Sequence, residues 1–502
     1  MKKTKWISTL TALVLTGSII AGCGTKGSEA ENAAEGSGPL DISIGMTQVG
    51  DIPAAGNEVE QAIEKYTNSK LNIQWIPNAA YEDKINIMLA SNEMPKLLKV
   101  QYNPNIISSM QSDLFWEVGP YLKDYKNLSA QDSQFFDNIK VDGKIYGVPV
   151  FSEIARAAIV YRKDWLDSLG MPLPKTLDDW YNVVKAMTLN DPDKNGKADT
   201  NGTLLFKKYN EGQYSLTTRF AVAMGAPNKW AVDKDGNFTA EFETKEYTDV
   251  MKFYKRLYDD GLINKDFAAF DSTEADKQYD AGRVGLKVAV ANTAKSQQDR
   301  LSKTDPKAVV DVAPLEGPNG LRVAGQTGNS GIYVIPKGTV KTEAEVKRLL
   351  KFLDQLMDPD MATLLMRGIE NKHFVKTTDN KTEFTDFTAF QREVKPYRDN
   401  FPYIEGYNVL PQKDVAIGEK GQAVTKEIAK HVVPNPALTL ISATYNERGK
   451  ELEQMIVDAQ TKFIMGKLDE AGYMAEIEKW NKSGGQKIKE EYKAYYLKQN
   501  QK

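Results

Sequence analysis

The sequence predicts an α/β fold, because stretches with the period of a strand alternate with stretches that have the period of a helix. Residues 40–46 alternate apolar and polar side chains, as a strand with one buried face requires. Asn57 and Glu60 have the spacing of a helix N-cap box, and apolar side chains up to Tyr66 then share one helical face. Strands that alternate with helices indicate a mostly parallel sheet, covered by helices on both faces.

The same alternation continues towards the end of the chain. Asp142-Gly143 predicts a turn, Thr176 with Asp179 predicts a helix cap, and Gly261 predicts a helix end. Residues 483–485, Ser-Gly-Gly, are expected to break the last helix before a charged tail. The other expected elements are strands at 71–75, 97–100, 145–149 and 287–290 and helices at 81–89, 180–187, 247–258, 346–357 and 452–463.

Length and composition narrow the possible functions. A chain of 502 residues is long enough for two or three structural units. Its 65 basic and 68 acidic residues are evenly mixed, without a basic run, so nucleic-acid binding has no electrostatic support. Only two histidines, His373 and His431, are present, which argues against zinc hydrolase chemistry and weakens the case for a Ser-His-Asp triad.

The N-terminal residues have the pattern of an export signal. Three lysines within the first five residues precede an apolar run from Ile7 to Ile20, and small residues then lead to Cys23, the only cysteine. The run is too short to cross a bilayer comfortably as a helix. Residues 1–22 are therefore predicted to be a signal peptide that is cleaved before Cys23.

Residues 20–23, Ile-Ala-Gly-Cys, resemble the lipobox of bacterial lipoproteins, in which the cysteine becomes the first residue of the mature chain. The resemblance implies a diacylglyceryl group and an N-acyl group on Cys23, and two acyl chains are enough for stable anchoring. Residues 23–38 are rich in small and polar residues and are predicted to form a flexible tether. The expected location is the extracytoplasmic face of the cell membrane, in a bacterium of the Gram-positive type.

A second resemblance covers the rest of the chain. Residues 142–170 read DGKIYGVPVFSEIARAAIVYRKDWLDSLG, which resembles the turn, strand and helix start of family 1 extracellular solute-binding proteins, the receptors of carbohydrate ABC importers. Residues 172–180, 282–285 and 331–336 resemble further motifs of that family, in the same order. Residues 368–374, GIENKHF, resemble a motif of a long, LplA-like lipoprotein subgroup, except that Asn371 replaces its glycine.

This resemblance implies a two-lobed fold of the periplasmic-binding-protein type II, in which each lobe is a mixed sheet flanked by helices and a ligand cleft separates the lobes. By analogy, the first lobe would comprise residues 39–153 and 312–375, and the second lobe residues 154–311 and 376–502. Hinge closure on a captured oligosaccharide or other sugar would create the form that the permease subunits of an ABC importer recognise. The protein is expected to be a monomer and to lack enzymatic activity.

Residues 191–202 have the beginning of an EF-hand-type loop. Oxygen-bearing side chains occupy loop positions 1, 3, 5 and 9, glycine at position 6 permits the sharp turn, and Gly202 replaces the glutamate of position 12. Similar loops in alginate-binding relatives hold calcium, and the alternative is a solvated acidic loop. A structural Ca²⁺ is predicted, with ligands from Asp191, Asp193, Asn195, the carbonyl of Lys197, Asp199 and Thr200.

A sugar site needs aromatic side chains for the apolar ring faces and polar side chains for the hydroxyl groups, on loops at strand ends. Each residue of such a type in such a place is a candidate, with an ordinary surface or structural role as the alternative. Trp230 and Tyr102 are the principal candidates. The full set is Gln48, Tyr102, Asn103, Phe151, Glu153, Arg156, Trp230, Asn292, Gln326 and Asn329.

Two other classes of function stay open from the sequence. A secreted, lipid-anchored glycosidase or lyase would need two carboxylates at a fixed separation, and 68 acidic residues neither identify nor exclude such a pair. A receptor for a non-sugar solute, such as a peptide, would share the same fold. No nucleophile elbow, P-loop or metal-binding histidine pair occurs in the sequence.

Overall fold

The structure is a computed structural model that describes residues 38–48, 50–212 and 215–500. The expected signal peptide, Cys23 and nearly all of the expected tether lie outside the described residues. From Leu40 onwards the chain forms one unit. In the part of the chain that is described, none of the helices combines the length and the apolarity that are needed to span a bilayer.

The described residues contain strands and helices along their whole length. The strands are β1 Leu40–Gln48, β2 Ser69–Pro77, β3 Leu97–Val100, β4 Gly147–Phe151, β5 Ala157–Arg162, β6 Trp230–Val232, β7 Phe238–Ala240, β8 Leu286–Val290, β9 Val310–Pro314, β10 Glu316–Gly317, β11 Gly320–Leu321, β12 Val323–Ala324, β13 Asn329–Val334, β14 Phe374–Lys376, β15 Thr382–Phe384 and β16 Val432–Val433. The helices are α1 Glu58–Thr67, α2 Tyr81–Ser91, α3 Pro104–Gln111, α4 Lys126–Ser129, α5 Ser133–Asp137, α6 Lys163–Leu169, α7 Leu177–Leu189, α8 Leu216–Ala223, α9 Lys245–Asp259, α10 Ser272–Asp280, α11 Thr293–Leu301, α12 Glu343–Gln355, α13 Pro359–Arg367, α14 Phe387–Glu393, α15 Lys395–Arg398, α16 Ala416–Ile428, α17 Ala443–Ile464, α18 Glu470–Trp480 and α19 Gln486–Asn500.

The first lobe is built on a five-stranded mixed sheet with the strand order β2-β1-β3-β13-β4. Strand β1 is parallel to β2 and β3, whereas β13 is antiparallel to both of its neighbours. The sheet buries apolar side chains on both faces, and helices such as α1 and α12 pack their apolar stripes against it. The sheet is therefore mixed, as predicted for this lobe.

The second lobe is built on a three-stranded sheet with the strand order β8-β5-β9. Both strand pairs are antiparallel, and a parallel bridge between Asn201 and Val284 adjoins the start of β8. The sequence pattern could not show this, because the direction of β8 depends on the path of the long segment between β5 and β8. Helices α7, α8, α9 and α17 pack the main core of the lobe against this sheet.

The chain crosses between the two sheets three times, and two of the expected lobe boundaries differ from the observed packing. Strand β9 pairs with β5 of the second sheet, so the return to the first lobe comes after residue 314 and not at residue 312. Residues 390–401 lie in the core of the first sheet, because Phe390, Tyr397 and Phe401 are buried with its residues. The crossing expected at 376 therefore comes later, before α16 packs on β9.

Local signals in the sequence are confirmed at several helix ends. Asn57 and Thr176 accept hydrogen bonds from the first turns of α1 and α7, and Asp179 completes a capping box with Thr176. A kink at Gly484, with φ of 149°, separates α18 from α19. The expected charged tail is instead helix α19, because its apolar side chains, such as Tyr492, are buried against the second lobe.

Candidate ligand cleft and calcium loop

The candidate cleft begins at the first crossing, where residues 152–156 connect the end of β4 to the start of β5. Glu153 lies at its centre. Arg156 Nε donates a hydrogen bond to Glu153 Oε2 at 3.1 Å, and Asn292 Nδ2, just after β8, donates to Glu153 Oε1 at 3.2 Å. Three of the predicted site residues therefore meet where the lobes join, and the Glu153 and Arg156 side chains are 35% and 39% exposed.

The second crossing brings two more predicted residues to the same region. Gln326 donates its main-chain N–H to the carbonyl of Ile154 at 2.8 Å, which ties the second crossing to the first. Asn138 Nδ2 from the first lobe donates to the Gln326 and Thr327 carbonyls, both at 3.1 Å. Asn329 Oδ1 accepts from the N–H of Gly331 at 3.2 Å. Gln326 and Asn329 thus take part in the hydrogen bonds that hold the crossing backbone, and their contact with a ligand stays a prediction.

Two predicted residues, Phe151 and Asn103, make contacts within the first lobe. Phe151 is 4% exposed and packs edge-to-face against Phe135 and Phe136, with ring centroids 5.1 Å and 6.1 Å apart. Its side chain therefore belongs to the core of the first lobe and not to the cleft surface. Asn103 caps helix α3, since its Oδ1 accepts from the N–H of Ile106 at 3.1 Å. The need for a helix cap is a sufficient reason for an asparagine at this position, without any ligand contact.

The remaining candidates are half-buried, and their contact with a ligand stays a prediction. Tyr102 donates its hydroxyl to the Lys140 carbonyl at 2.8 Å, and burial raises its pKa. Trp230 lies on β6 and meets the ring of Tyr492 edge-on at 5.2 Å, so α19 supports its indole. Gln48, at the end of β1, donates to the carbonyl of Gly50 at 3.0 Å.

The structure adds residues that the sequence interpretation missed, in the segment from α15 to residue 405. Asn400 Oδ1 accepts from the N–H of Thr47 at 3.0 Å, and its Nδ2 donates to the Thr47 carbonyl at 2.9 Å. Lys99 Nζ donates to the Asp399 carbonyl at 2.9 Å, and burial lowers the pKa of this lysine to about 8. The segment therefore covers the ends of β1 and β3, where only Gln48, Tyr102 and Asn103 were expected.

Tyr403 in this segment has the aromatic ring and the polar hydroxyl group that were expected of a sugar-site residue. Burial raises its pKa, and the charge of Glu153 at the first crossing raises it further. Its neighbours in sequence, Phe401-Pro402-Tyr403 and Gly406, form an aromatic loop with glycine. That composition is a signal in the sequence for this segment, whereas the contacts that Asn400 and Asp399 make with β1 and β3 join residues that are 300 or more positions apart.

The predicted calcium loop has its polar side chains close together. Asp191 accepts from the N–H groups of Asn195 and Gly196 at 3.1 Å and 3.0 Å. Asn195 Nδ2 donates to Asp193 Oδ2 at 2.8 Å and to Asp199 Oδ1 at 3.1 Å. An amide N–H thus lies between two carboxylates, the position that a cation could take if Asn195 turned its oxygen inwards.

Two further observations bear on whether the loop fits a cation. Burial raises the pKa of Asp193, and the neighbouring charges of Asp191 and Asp199 raise it further. Thr200 is 5% exposed, and its hydroxyl makes no hydrogen bond among the described residues. Among all the residues that the structure describes, no three or more His, Cys, Asp or Glu side chains are already arranged around a metal position. The residues therefore fit a cation only after a side-chain rearrangement.

The structure has two sheets that are joined by crossing segments, and polar side chains lie where the two lobes meet. This arrangement is that of a two-lobed binding protein. The chain belongs to the bacterial extracellular solute-binding protein family, whose profile matches residues 50–354. It is 36% identical to Lipoprotein LipO of Bacillus subtilis over 98% of each chain. It is 35% identical to the polygalacturonan/rhamnogalacturonan-binding protein YtcQ of the same organism, over 97% of this chain and 98% of that one.

The overall fold also matches solved structures. A solute-binding protein from Bifidobacterium longum infantis, described as associated with an HMO-binding ABC transporter, superimposes with a TM-score of 0.70 at 16% sequence identity. The match covers 92% of this chain and 99% of that one. The family and the two-lobed fold that the sequence predicted are therefore confirmed.

Proposed function

We propose that the protein is a receptor that captures an oligosaccharide between its lobes and delivers it to an ABC importer when the lobes close. The observation that supports this proposal most is the group formed by Glu153, Arg156 and Asn292. It presents carboxylate, guanidinium and amide groups at the junction of the two lobes, where closure would bring both walls onto a ligand. Sugar hydroxyl groups are both donors and acceptors, and this group offers both.

The names of the relatives point to more than one class of sugar. One relative is named for acidic polysaccharides, and the neighbour from Bifidobacterium is associated with HMO binding. A ligand screen should therefore include both acidic and neutral oligosaccharides, together with peptides. We expect at least one oligosaccharide to raise the melting temperature of the purified protein, because a ligand that binds only the folded state stabilises it.

The same screen separates the competing functions. A receptor leaves the sugar intact, whereas a glycosidase or lyase shortens it, which chromatography of the incubated sugar detects. Stabilisation by peptides alone would indicate a receptor for another solute. If no oligosaccharide stabilises the protein, or if the stabilising sugar is consumed, the proposal fails.

The proposed location is the extracytoplasmic face of the membrane, with the protein held as a monomer by lipid on Cys23 beside its permease subunits. The lipobox-like sequence and the 36% identity to a protein named as a lipoprotein support this. A tether raises the effective concentration of a receptor at its importer. We expect a Cys23→Ser variant to bind sugar normally but to be released into the medium. Retention of that variant at the membrane would contradict the proposal.

We also propose a structural Ca²⁺ in the loop at residues 191–200. Asp191, Asp193, Asn195 and Asp199 would supply side-chain oxygens, Lys197 its carbonyl, and the buried hydroxyl of Thr200 a further oxygen. A bound Ca²⁺ would hold the carboxylates together and stiffen the loop. We expect Ca²⁺ to raise the melting temperature of the protein and to leave that of an Asp193→Asn variant unchanged. An equal response in both proteins, or no response in either, would contradict this proposal.

A further inference from the structure

A chamber of about 380 Å³ lies within the second lobe, beside the outer edge of β8. Trp180, Phe220 and Tyr254, from three different helices, form its aromatic wall, and Val288 of β8 lies on the opposite side. The volume falls in the range of small-ligand sites, and aromatic walls are typical of such sites. None of these residues was a candidate from the sequence.

The main chain of β8 offers hydrogen-bonding groups to this chamber. Leu286 donates its N–H to the carbonyl of Gly202 at 2.9 Å and accepts at its carbonyl from the Tyr279 hydroxyl at 3.2 Å, so both groups point away from β5. Main-chain groups alternate in direction along a strand. The N–H and carbonyl of Val288 therefore point the same way, towards the chamber that Val288 lines.

Charged side chains of both signs line the chamber, basic at Lys208, Arg219 and Lys287 and acidic at Glu211 and Asp276. The Lys287 side chain is only 14% exposed. Lys287 Nζ lies 4.3 Å from the ring centroid of Tyr279 and pairs over 3.8 Å with Asp276, whose side chain is 67% exposed. Burial lowers the pKa of Lys287. A desolvated ammonium with one distant, solvated partner would gain from an anion close by.

The chamber is continuous with the end of β8 that faces the candidate cleft. Val290 and Thr293 line it, and Asn292 between them donates to Glu153 of the first crossing. Thr293 begins helix α11, whose first turn receives no side-chain cap from the described residues. The positive end of the helix dipole therefore lies at that end of the chamber. One ligand could therefore contact both Glu153 and the chamber.

We propose that the chamber is a subsite of the cleft that receives a carboxylate-bearing sugar residue, a uronate, at one end of the captured oligosaccharide. The aromatic wall can pack against the C–H faces of the sugar ring, and the main chain of β8 can form hydrogen bonds with its hydroxyl groups. Lys287 can form an ion pair with its carboxylate. This inference rests on the proposed function. A neutral sugar and a peptide strand paired along β8 are the alternatives.

The test is calorimetric titration of the purified protein with tetragalacturonate and with its fully methyl-esterified form, which has the same chain without the charge. Four proteins are compared: wild type, Lys287→Met, Lys287→Arg and Lys245→Met. Lys245 is the control, because it removes the same charge from the same lobe at an exposed site outside the chamber. Melting temperatures establish that each variant is folded.

We expect the wild-type protein to bind tetragalacturonate (the acid) about 10- to 100-fold more tightly than its methyl ester. This ratio corresponds to the free energy of one charge-assisted hydrogen bond. Lys287→Met should lose that preference and keep its affinity for the ester, while Lys287→Arg and Lys245→Met should retain the preference. Equal losses for acid and ester in Lys287→Met, or no loss, would overturn the subsite although the receptor function stands. Binding of peptides alone, or of no oligosaccharide, would instead overturn the proposed function.

Discussion

The two lobes each bury a lysine on a strand of their sheet, but the surroundings of the two lysines differ. Lys99, on β3 of the first lobe, is 4% exposed and donates to the Asp399 carbonyl, while Asn400 Oδ1 lies 3.5 Å from its ammonium. Lys287, on β8 of the second lobe, lines a chamber and pairs with an exposed carboxylate over 3.8 Å. Lys99 is therefore held by partners from its own lobe at hydrogen-bonding distance, whereas the ion-pair partner of Lys287 is distant and exposed.

The two sheets also differ in how far their strands are enclosed by neighbouring elements. In the first lobe, β3 is enclosed between β1 and β13, and the segment around Asn400 closes the end of the sheet. In the second lobe, β8 is an edge strand. On its outer side Leu286 is bonded to Gly202 and Tyr279, and the next outward-facing residue, Val288, faces the chamber. An enclosed sheet contributes stability, whereas an open edge offers unpaired main-chain groups to a partner.

The largest effect is expected for Asn400→Leu in the first lobe. The variant removes both hydrogen bonds to Thr47 and one oxygen near Lys99, leaving several partly buried polar groups unsatisfied. We expect the free energy of unfolding to fall by about 3–4 kcal/mol, measured by urea denaturation. Asn72→Leu, at an exposed position on β2 of the same sheet, should change it by less than ~0.5 kcal/mol. Equal effects of the two variants would contradict a structural role for Asn400.

The next effect is a pH dependence that comes from Lys99. Burial lowers its pKa from 10.5 to about 8, so between these values the unfolded chain binds a proton that the native protein has released. Stability from this group therefore rises as the pH increases from 8 to 10.5, by up to about 3 kcal/mol. We expect the difference in unfolding free energy between wild type and Lys99→Met to change by that amount over this range. A constant difference would show that Lys99 is not desolvated.

The smallest effect is expected for Lys287→Met without ligand. This lysine makes no short ion pair in the described structure, so its removal should change the free energy of unfolding by less than about 1 kcal/mol. Thermal or urea unfolding of the variant beside Lys245→Met measures this. A loss as large as that of Asn400→Leu would mean that Lys287 is structural and that the contrast between the lobes is absent.

The elements of the fold were largely predictable, because each depends on neighbours in sequence. The strand at 97–100, the capping box of Thr176 and Asp179, and the helix end before Gly261 are all observed. The placement of residues 390–401 was not predictable. Phe390 and Tyr397 are ordinary helical apolar residues, and only packing against β1 and α12 assigns them to the first lobe.

The candidate site was predictable where it follows the family motif. Glu153 and Arg156 lie within the motif-like stretch at residues 142–170, and Asn292 follows a recognisable strand, so their meeting was foreseeable in part. Asn103 and Phe151 are also polar or aromatic residues at strand ends. Nevertheless, Asn103 caps a helix and Phe151 packs in the core. Residue type at a strand end does not distinguish these roles, because the distinction depends on which way each side chain points.

By itself, the sequence determined the α/β elements, the lipobox-like cysteine, the acidic loop at 191–199 and the membership of a family of two-lobed receptors. These features depend on periodicity, spacing and short motifs, which are local. Only the tertiary structure decided that Asn400 closes the first sheet, that β8 keeps an open edge, and that Lys287 lines a chamber next to it. Such features depend on contacts between distant residues and on space left unfilled, and no local pattern encodes either.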